Sequence, residues 1–405
     1  MEVRAPAAKR SAYDESESED SNNEDSLDMF ASESEADNSM VIEKEGGTEK
    51  RSGHNCDDAL GYYKLVLGEE MHTRYTVTSL LGHGTFSSVA KCKDKASNKM
   101  VAVKVIRNSE QMRAVADMEM KIIKNVQAAS VDETHYHIVR LLDSFTHMQH
   151  LCMVFEYMHS DLRQLLRRTG SGVGLPLPVI RSYTYQMLLG LKALHHDGGY
   201  AHCDIKPDNM LITGDRLVVS DLGSCIQPST TKPCGCELVS RYYRPPECLL
   251  GLPISTAIDI WSMATTVFEL STGRYLFPGC DNADLMRQHM LVSGPPSIKL
   301  LRKGQQNQVE EMFRVENGHF LPQHKGSLLE PGTFAPSLPP HPVPRVNAAK
   351  KLHDLLEGNV DKGYKRADVS CMAEFLSLCL QIDPSKRASV KALLKHSFIT
   401  GRFNK

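Results

Sequence analysis

Two neighbouring stretches decide the fold: His202-Cys203-Asp204-Ile205-Lys206-Pro207-Asp208-Asn209 and, shortly after it, Leu217-Val218-Val219-Ser220-Asp221-Leu222-Gly223. Phosphoryl transfer from ATP requires a carboxylate to accept the hydroxyl proton, a cation beside the transferred group and oxygen ligands for Mg²⁺. Asp204, Lys206, Asn209 and Asp221 supply that set in chain order.

Upstream lies Leu81-Gly82-His83-Gly84-Thr85-Phe86-Ser87-Ser88-Val89. A lone G-x-G also makes ordinary hairpins, so context must decide. The context is Val101-Ala102-Val103-Lys104, where strand parity puts Ala102 and Lys104 on one face and Val101, Val103 and Val105 on the other. A small residue there can lie against a flat base while the ammonium reaches phosphate; otherwise the lysine is a snorkelling edge residue. Glu119 falls in a charged stretch, about Glu110 to Val126, that reads as helix and is placed to pair with Lys104. Downstream come Ser240-Arg241-Tyr242-Tyr243-Arg244-Pro245-Pro246-Glu247, Asp259-Ile260-Trp261-Ser262 and Asp383-Pro384-Ser385-Lys386-Arg387. Any one of these is an unremarkable surface turn, but their joint order is specific.

In these motifs the chain resembles the eukaryotic protein kinases over about Tyr75 to Phe403. The resemblance implies an α+β, two-lobed fold with a β-rich N-lobe carrying one regulatory helix, and a larger helical C-lobe. It implies that the loop from Leu81 through Gly82, His83, Gly84, Thr85, Phe86, Ser87 and Ser88 to Val89 covers the ATP phosphates, which Lys104, held by Glu119, positions. Asp204 would be the base, Lys206 would sit beside the γ-phosphate, and Asn209 and Asp221 would be the metal ligands. Ala102 would flank adenine. Phe155 is in the gatekeeper place, Glu156 to Met158 form the hinge, and Asp161 is placed for a ribose contact. Glu247 would pair with Arg387, and Asp259 would brace the catalytic loop.

Finer details resemble the CMGC group of cyclin-dependent, mitogen-activated, dual-specificity and SR-protein kinases: the Ser240 to Glu247 run, a late insertion and Val105-Ile106-Arg107-Asn108. Gly61-Tyr62-Tyr63, Leu67-Gly68-Glu69, His150-Leu151-Cys152, Leu238 to Arg241 and Leu301 to Gly304 are most similar to the pre-mRNA-processing (Prp-four) kinases, with LAMMER and SR-protein kinases next. This implies a serine/threonine kinase in splicing control, using ATP and Mg²⁺. It would be nuclear (cytoplasm being the alternative) and monomeric, touching protein substrates such as splicing factors but neither nucleic acid nor membrane. A LAMMER or SR-type kinase with another nuclear role, and an inactive scaffold, are the alternatives.

Some residues depart from the family pattern. Cys203 replaces an arginine that binds an activation-loop phosphate, and a neutral thiol cannot make that bidentate contact. Ser87 stands for the third glycine, and Leu222 for the Phe after the metal Asp. Glu237 stands where relatives carry a phosphorylatable tyrosine, so the expectation is that it pairs with Arg241 and Arg244 and orders the segment without phosphorylation. Cys225, Cys234 and Cys236 crowd the same segment without zinc spacing and read as packing thiols. His195-His196 read as the end of a helix.

Composition bounds the rest. Of 405 residues, the first 50 carry 15 acidic and 5 basic side chains, and the other 355 carry 42 basic against 34 acidic. Residues 1–57, Ser-rich and acidic, bury too little to offset ordering entropy and are expected to be disordered; they could also act as a polyanion for basic partners. The 11 cysteines show no C-x-x-C pair, no apolar run nears the ~18 residues of a membrane span, and the acidic start is unlike a secretory leader, so a soluble protein of nucleus or cytosol is expected. A lead-in at 58–74, an N-lobe at 75–158 and a C-lobe at 159–403 follow. Ile180, Tyr183, Met187, Leu191 and Leu194 predict an amphipathic helix closed by Gly198-Gly199. Six prolines between Pro331 and Pro344 make about 304–366 a surface insertion.

Overall fold

The computed structural model describes Glu43–Lys44 and residues 56–129, 136–170, 172–235, 237–316, 319–322, 328–330, 333–334, 346–359 and 363–401. Most of the expected tail, residues 1–42 and 45–55, lies outside these, as do Cys236 and the proline run at 335–345. Some described residues fall inside the expected tail. Glu43–Lys44 pair in parallel with Val66–Leu67, Cys56 is fully buried, and Asp57 Oδ1 meets His150 Nε2 at 2.8 Å. A polarity count cannot see an anchor built from one histidine 93 positions away.

Alternating β-branched residues build a six-stranded antiparallel sheet from β1 (Glu70–Met71), β2 (Tyr75–Gly84), β3 (Ser87–Asp94), β4 (Met100–Ile106), β5 (Leu141–His147) and β6 (His150–Glu156), in the order β1-β2-β3-β4-β6-β5. The expected parity holds on β4: Val101, Val103 and Val105 enter a core with Tyr75, Val77, Cys92 and Val154, while Ala102 and Lys104 lie on the opposite face. That opposite face is covered by α1 (Glu110–Ala129), three residues longer than its expected end at Val126. Its buried stripe, Ala116, Glu119, Ile122, Ile123 and Val126, follows helical spacing and carries a carboxylate among apolar groups. Burial there demands a partner for Glu119.

The rest is mainly helical: α2 (Leu162–Thr169), α3 (Leu177–Lys192), α4 (Pro246–Leu250), α5 (Ala257–Thr272), α6 (Asn282–Ser293), α7 (Gln306–Met312), α8 (Ala348–Leu356) and α9 (Arg366–Cys379). The α3 face is as expected, with Ile180, Tyr183, Met187 and Leu191 buried. Its end is a wide π-type turn, Ala193–Asp197, closed by the Gly198 N–H on Ala193 O. A Cβ on Gly198 would come within 2.7 Å of Val126 Cγ2, so glycine permits α1 to approach. The hairpin of β7 (Met210–Thr213) and β8 (Arg216–Val219) pairs Met210 with Val219, and Ser220 N donates to Asn209 O just beyond the pair, which brings Asn209 to the turn that carries Asp221.

The insertion expected over 304–366 is surface only in part. Val309 and Met312 of α7, and Leu352 and Leu356 of α8, are buried in the main core. Proline density averaged over the whole stretch hid two apolar helical flanks with i, i+3 and i, i+4 spacing.

Candidate active site

Neighbour pairing fixes the cation. Lys104 stands opposite Val89 of β3 and Met153 of β6, and its Nζ lies 2.9 Å from Glu119 Oε2 and 3.1 Å from Asp221 Oδ1. Burial alone would push the ammonium down; the Asp221 and Glu119 carboxylates outweigh it and hold its pKa above the ordinary lysine value. Lys104 in turn holds the Asp221 carboxyl low, while burial pushes Glu119 up against the same attraction. One ammonium thus joins sheet, helix and the Asp221 turn.

A second cluster surrounds Asp204. Its Oδ2 accepts from Asn209 Nδ2 at 2.9 Å and pairs with Lys206 Nζ at 2.9 Å. Its Oδ1 accepts from the Ser240 hydroxyl at 2.7 Å, and Ser240 Oγ accepts from Lys206 Nζ at 3.0 Å. Asn209 O accepts from both the amide and the hydroxyl of Ser220, which locks the two ends of the β7–β8 hairpin together. Cys203 and Asp221 sit at φ 68° and 58°, left-handed values uncommon outside glycine. Asp259 supports the first of these strained positions: its Oδ2 accepts from His202 N at 2.7 Å and its Oδ1 from Cys203 N at 2.9 Å. Burial opposes a charge on Asp259, and hydrogen bonds from His195 and His202 outweigh it, lowering its pKa.

The glycine-rich loop residues Leu81 to Phe86 are exposed, Ser87 and Ser88 are buried and Val89 is half-buried. Ala102 is half-buried and pairs with buried Phe155. The Glu156 carboxylate is turned to Arg216, 2.8 Å away; Met158 is buried, and its backbone N–H and C=O make no hydrogen bond among the described residues. Asp161 Oδ1 caps α2 by accepting from Gln164 N at 2.7 Å. Asn209, donating through Nδ2, keeps Oδ1 as an oxygen donor; with Asp221 this gives two protein oxygens, which suits a small divalent cation completed by phosphate oxygens and water.

Two expectations need correction. Glu237 is exposed and pairs with neither arginine among the described residues; Arg244 is buried and donates to Val239 O and Asn282 Oδ1, and Arg241 donates to Cys280 O. An exposed carboxylate gains little from pairing. His195 does more than end a helix, since its Nε2 meets Asp259 Oδ2 at 2.7 Å. Cys203, Cys234, Val239, Tyr243, Cys248 and Ile258 form a small apolar core, so Cys203 anchors the segment by packing where an arginine would need a phosphate. Burial pushes the Cys203, Cys225 and Cys248 thiols up, and no metal-holding cluster of His, Cys, Asp or Glu occurs among the described residues. Nothing in the Ser240 to Glu247 motif alone gives Ser240 a role; its hydroxyl comes to lie between Asp204 and Lys206 through tertiary placement.

A mixed sheet-and-helix pair of lobes meeting at a lysine–glutamate–aspartate bridge, with Asp204 held by Ser240, Lys206 and Asn209, is the arrangement of a protein kinase. The protein kinase domain model matches residues 75–399, and the chain belongs to that family. It is a serine/threonine kinase of the CMGC group related to the Prp4 kinases, and the family implies ATP and a divalent cation. It is 36% identical over 350 residues to serine/threonine-protein kinase prp4 of Schizosaccharomyces pombe, covering 85% of this chain and 70% of that one. It is 32% identical over 355 residues to prpf4B of Dictyostelium discoideum (85% and 42%), and 33% identical over 356 residues to the DYRK-family kinase pom1 of S. pombe (87% and 30%). The chain thus spans less than half the length of the last two.

Proposed function

We propose that the chain transfers the γ-phosphate of Mg²⁺-ATP to Ser and Thr of splicing proteins, acting in the nucleus as a monomer without direct contact to nucleic acid. The observation that carries the chemistry is the Asp204 carboxylate, oriented by Ser240, Lys206 and Asn209. Bound Mg²⁺-ATP supplies the electrophilic phosphorus and neutralises its charge. Asp204 accepts the incoming hydroxyl proton through a carboxylate that already accepts a hydrogen bond from the Ser240 hydroxyl. Lys206 faces the transferred group, Lys104 braced by Glu119 holds the phosphates beneath the Gly82 to Val89 loop, and Asn209 and Asp221 take the metal. Ala102 and the Met158 backbone frame the base, with Asp161 and Glu156 at the rim. The splicing and nuclear assignments rest on the likeness to the pre-mRNA-processing kinases.

Asp204→Asn is expected to lower kcat by about 10²–10⁴-fold, the usual worth of a general base, while binding of an ATP analogue persists. Chelation of Mg²⁺ should stop transfer by the wild type. Full turnover by Asp204→Asn would remove the proposed base.

A further inference from the structure

Beside this site lies a cluster the chemistry does not use. Arg163 of α2 places its guanidinium among three acceptors: Asp208 Oδ2 at 3.2 Å, Glu269 Oε1 and the Tyr243 hydroxyl at 2.5 Å. Tyr243 OH also donates to Glu269 Oε2 at 2.6 Å. Tyr275 lies over the cation at 5.4 Å, and Tyr242 packs against Tyr275 at 4.6 Å. A single ion pair would tie α2 to α5; here two carboxylates, a phenol and an aromatic wall converge on one planar cation. Such a set is a receptor for guanidinium, and Arg163 displays that affinity by filling it.

The position of the cluster matters. Asp208 shares the Pro207–Asn209 turn with Asn209, which bonds Asp204. Tyr243 ends the Arg241–Tyr243 turn directly after Ser240, which bonds the other Asp204 oxygen. A peptide delivering its hydroxyl to Asp204 must lay neighbouring residues over these turns. The cluster also opens to solvent, since the Asp208 side chain is 43% exposed while that of Arg163 is only 14% exposed.

We infer that Arg163 is a specificity-determining residue: a built-in occupant of an acidic pocket flanking the acceptor, which denies that pocket to arginines of the substrate. This rests on the reading of Asp204 as the base. Tethered to the same chain, Arg163 meets the pocket at an effective concentration that a substrate side chain cannot match. The enzyme therefore selects Ser/Thr segments that do not depend on a nearby arginine, and Arg-Ser repeats gain nothing from this pocket.

The test uses the full chain and serine peptides of neutral sequence in which a single arginine is moved through the positions flanking the acceptor. For wild type, kcat/KM with arginine should stay within about threefold of the alanine peptide at every position. In Arg163→Ala, one position should gain at least about tenfold, mainly through KM, as befits a new charge-assisted contact. Guanidinium chloride at a non-denaturing concentration should suppress that gain in the variant and leave wild type unaffected. Unchanged arginine profiles in an Arg163→Ala protein that still turns over the neutral peptide would overturn the inference. Asp208→Asn in an otherwise wild-type chain guards against poor folding of the first variant: its arginine profile should match wild type, and loss of an arginine preference there would show that substrates already use the pocket. Neutral-peptide turnover by wild type and its loss in Asp204→Asn report on the base separately.

Discussion

Lys104 and His289 are both buried basic groups, and their surroundings treat them in opposite ways. Lys104 meets two carboxylates and keeps its charge. His289 is wedged between Trp261 and Phe277, with ring centroids 4.7 and 4.6 Å away, and neither ring nitrogen has a hydrogen-bond partner among the described residues. Burial pushes its pKa well below 6.5, and nearby Arg387 adds to the shift. The native state thus refuses a proton that the unfolded chain accepts below about pH 6.5, so stability falls as pH drops through that value, by about 1.4 kcal/mol per unit. Between pH 7 and pH 5, urea unfolding of wild type should lose about 2 kcal/mol more than that of His289→Leu; equal losses would refute the assignment. The residues proposed to carry the chemistry could be singled out from local signals: strand parity for Lys104, a charged helical stretch for Glu119 and the order of two short motifs for Asp204, Asn209 and Asp221. Ser240, His195 and Arg163 acquire roles only from partners 36, 64 and 106 positions away.

At the scale of elements, the lead-in segment and the β2–β3 turn act as one unit. Tyr62 OH donates to Thr85 O at 2.8 Å, and its ring packs on His83 at 4.3 Å. Arg107, at the end of β4, lies over the Tyr62 ring at 5.1 Å and donates its backbone N–H to Phe86 O at 3.0 Å. Gly61 turns the chain at φ 81° and accepts from Asn108 N at 2.8 Å. The loop expected to cover the phosphates is therefore tethered at its tip by the lead-in segment. Tyr62→Phe keeps the ring and loses one hydrogen bond, about 0.5–1.5 kcal/mol. The expected outcome is a two- to tenfold rise in KM for ATP with kcat nearly unchanged, read from initial rates over an ATP series. An unchanged KM would mean that the tether does not order the loop for nucleotide. This coupling was hidden in the sequence, because a Tyr-Tyr pair before the first strand reads equally well as plain core.

Across the whole molecule, distant segments are held by the ion pair that the sequence motifs implied. Arg387 and Glu247, 140 positions apart, meet in a bidentate contact at 2.5 Å with both side chains fully buried. The same guanidinium donates to Gln381 O and Ala257 O and lies over Trp261 at 5.0 Å, so it ties α4, α5 and the segment after α9 together. Both charged side chains in this knot have lost their water, and the worth of the pair therefore lies in completeness. Arg387→Ala leaves Glu247 buried without its cation, which should cost about 3–5 kcal/mol, a large part of the 5–15 kcal/mol typical of a folded protein. Replacing both partners, as in Glu247→Leu with Arg387→Leu, removes the stranded charge along with the attraction. The double variant should accordingly unfold at higher urea than Arg387→Ala alone. Were the single variant to lose less than about 1 kcal/mol, water must reach Glu247 on loss of the cation, and the helical lobe would be knitted by its apolar core around Trp261 and Phe277 instead.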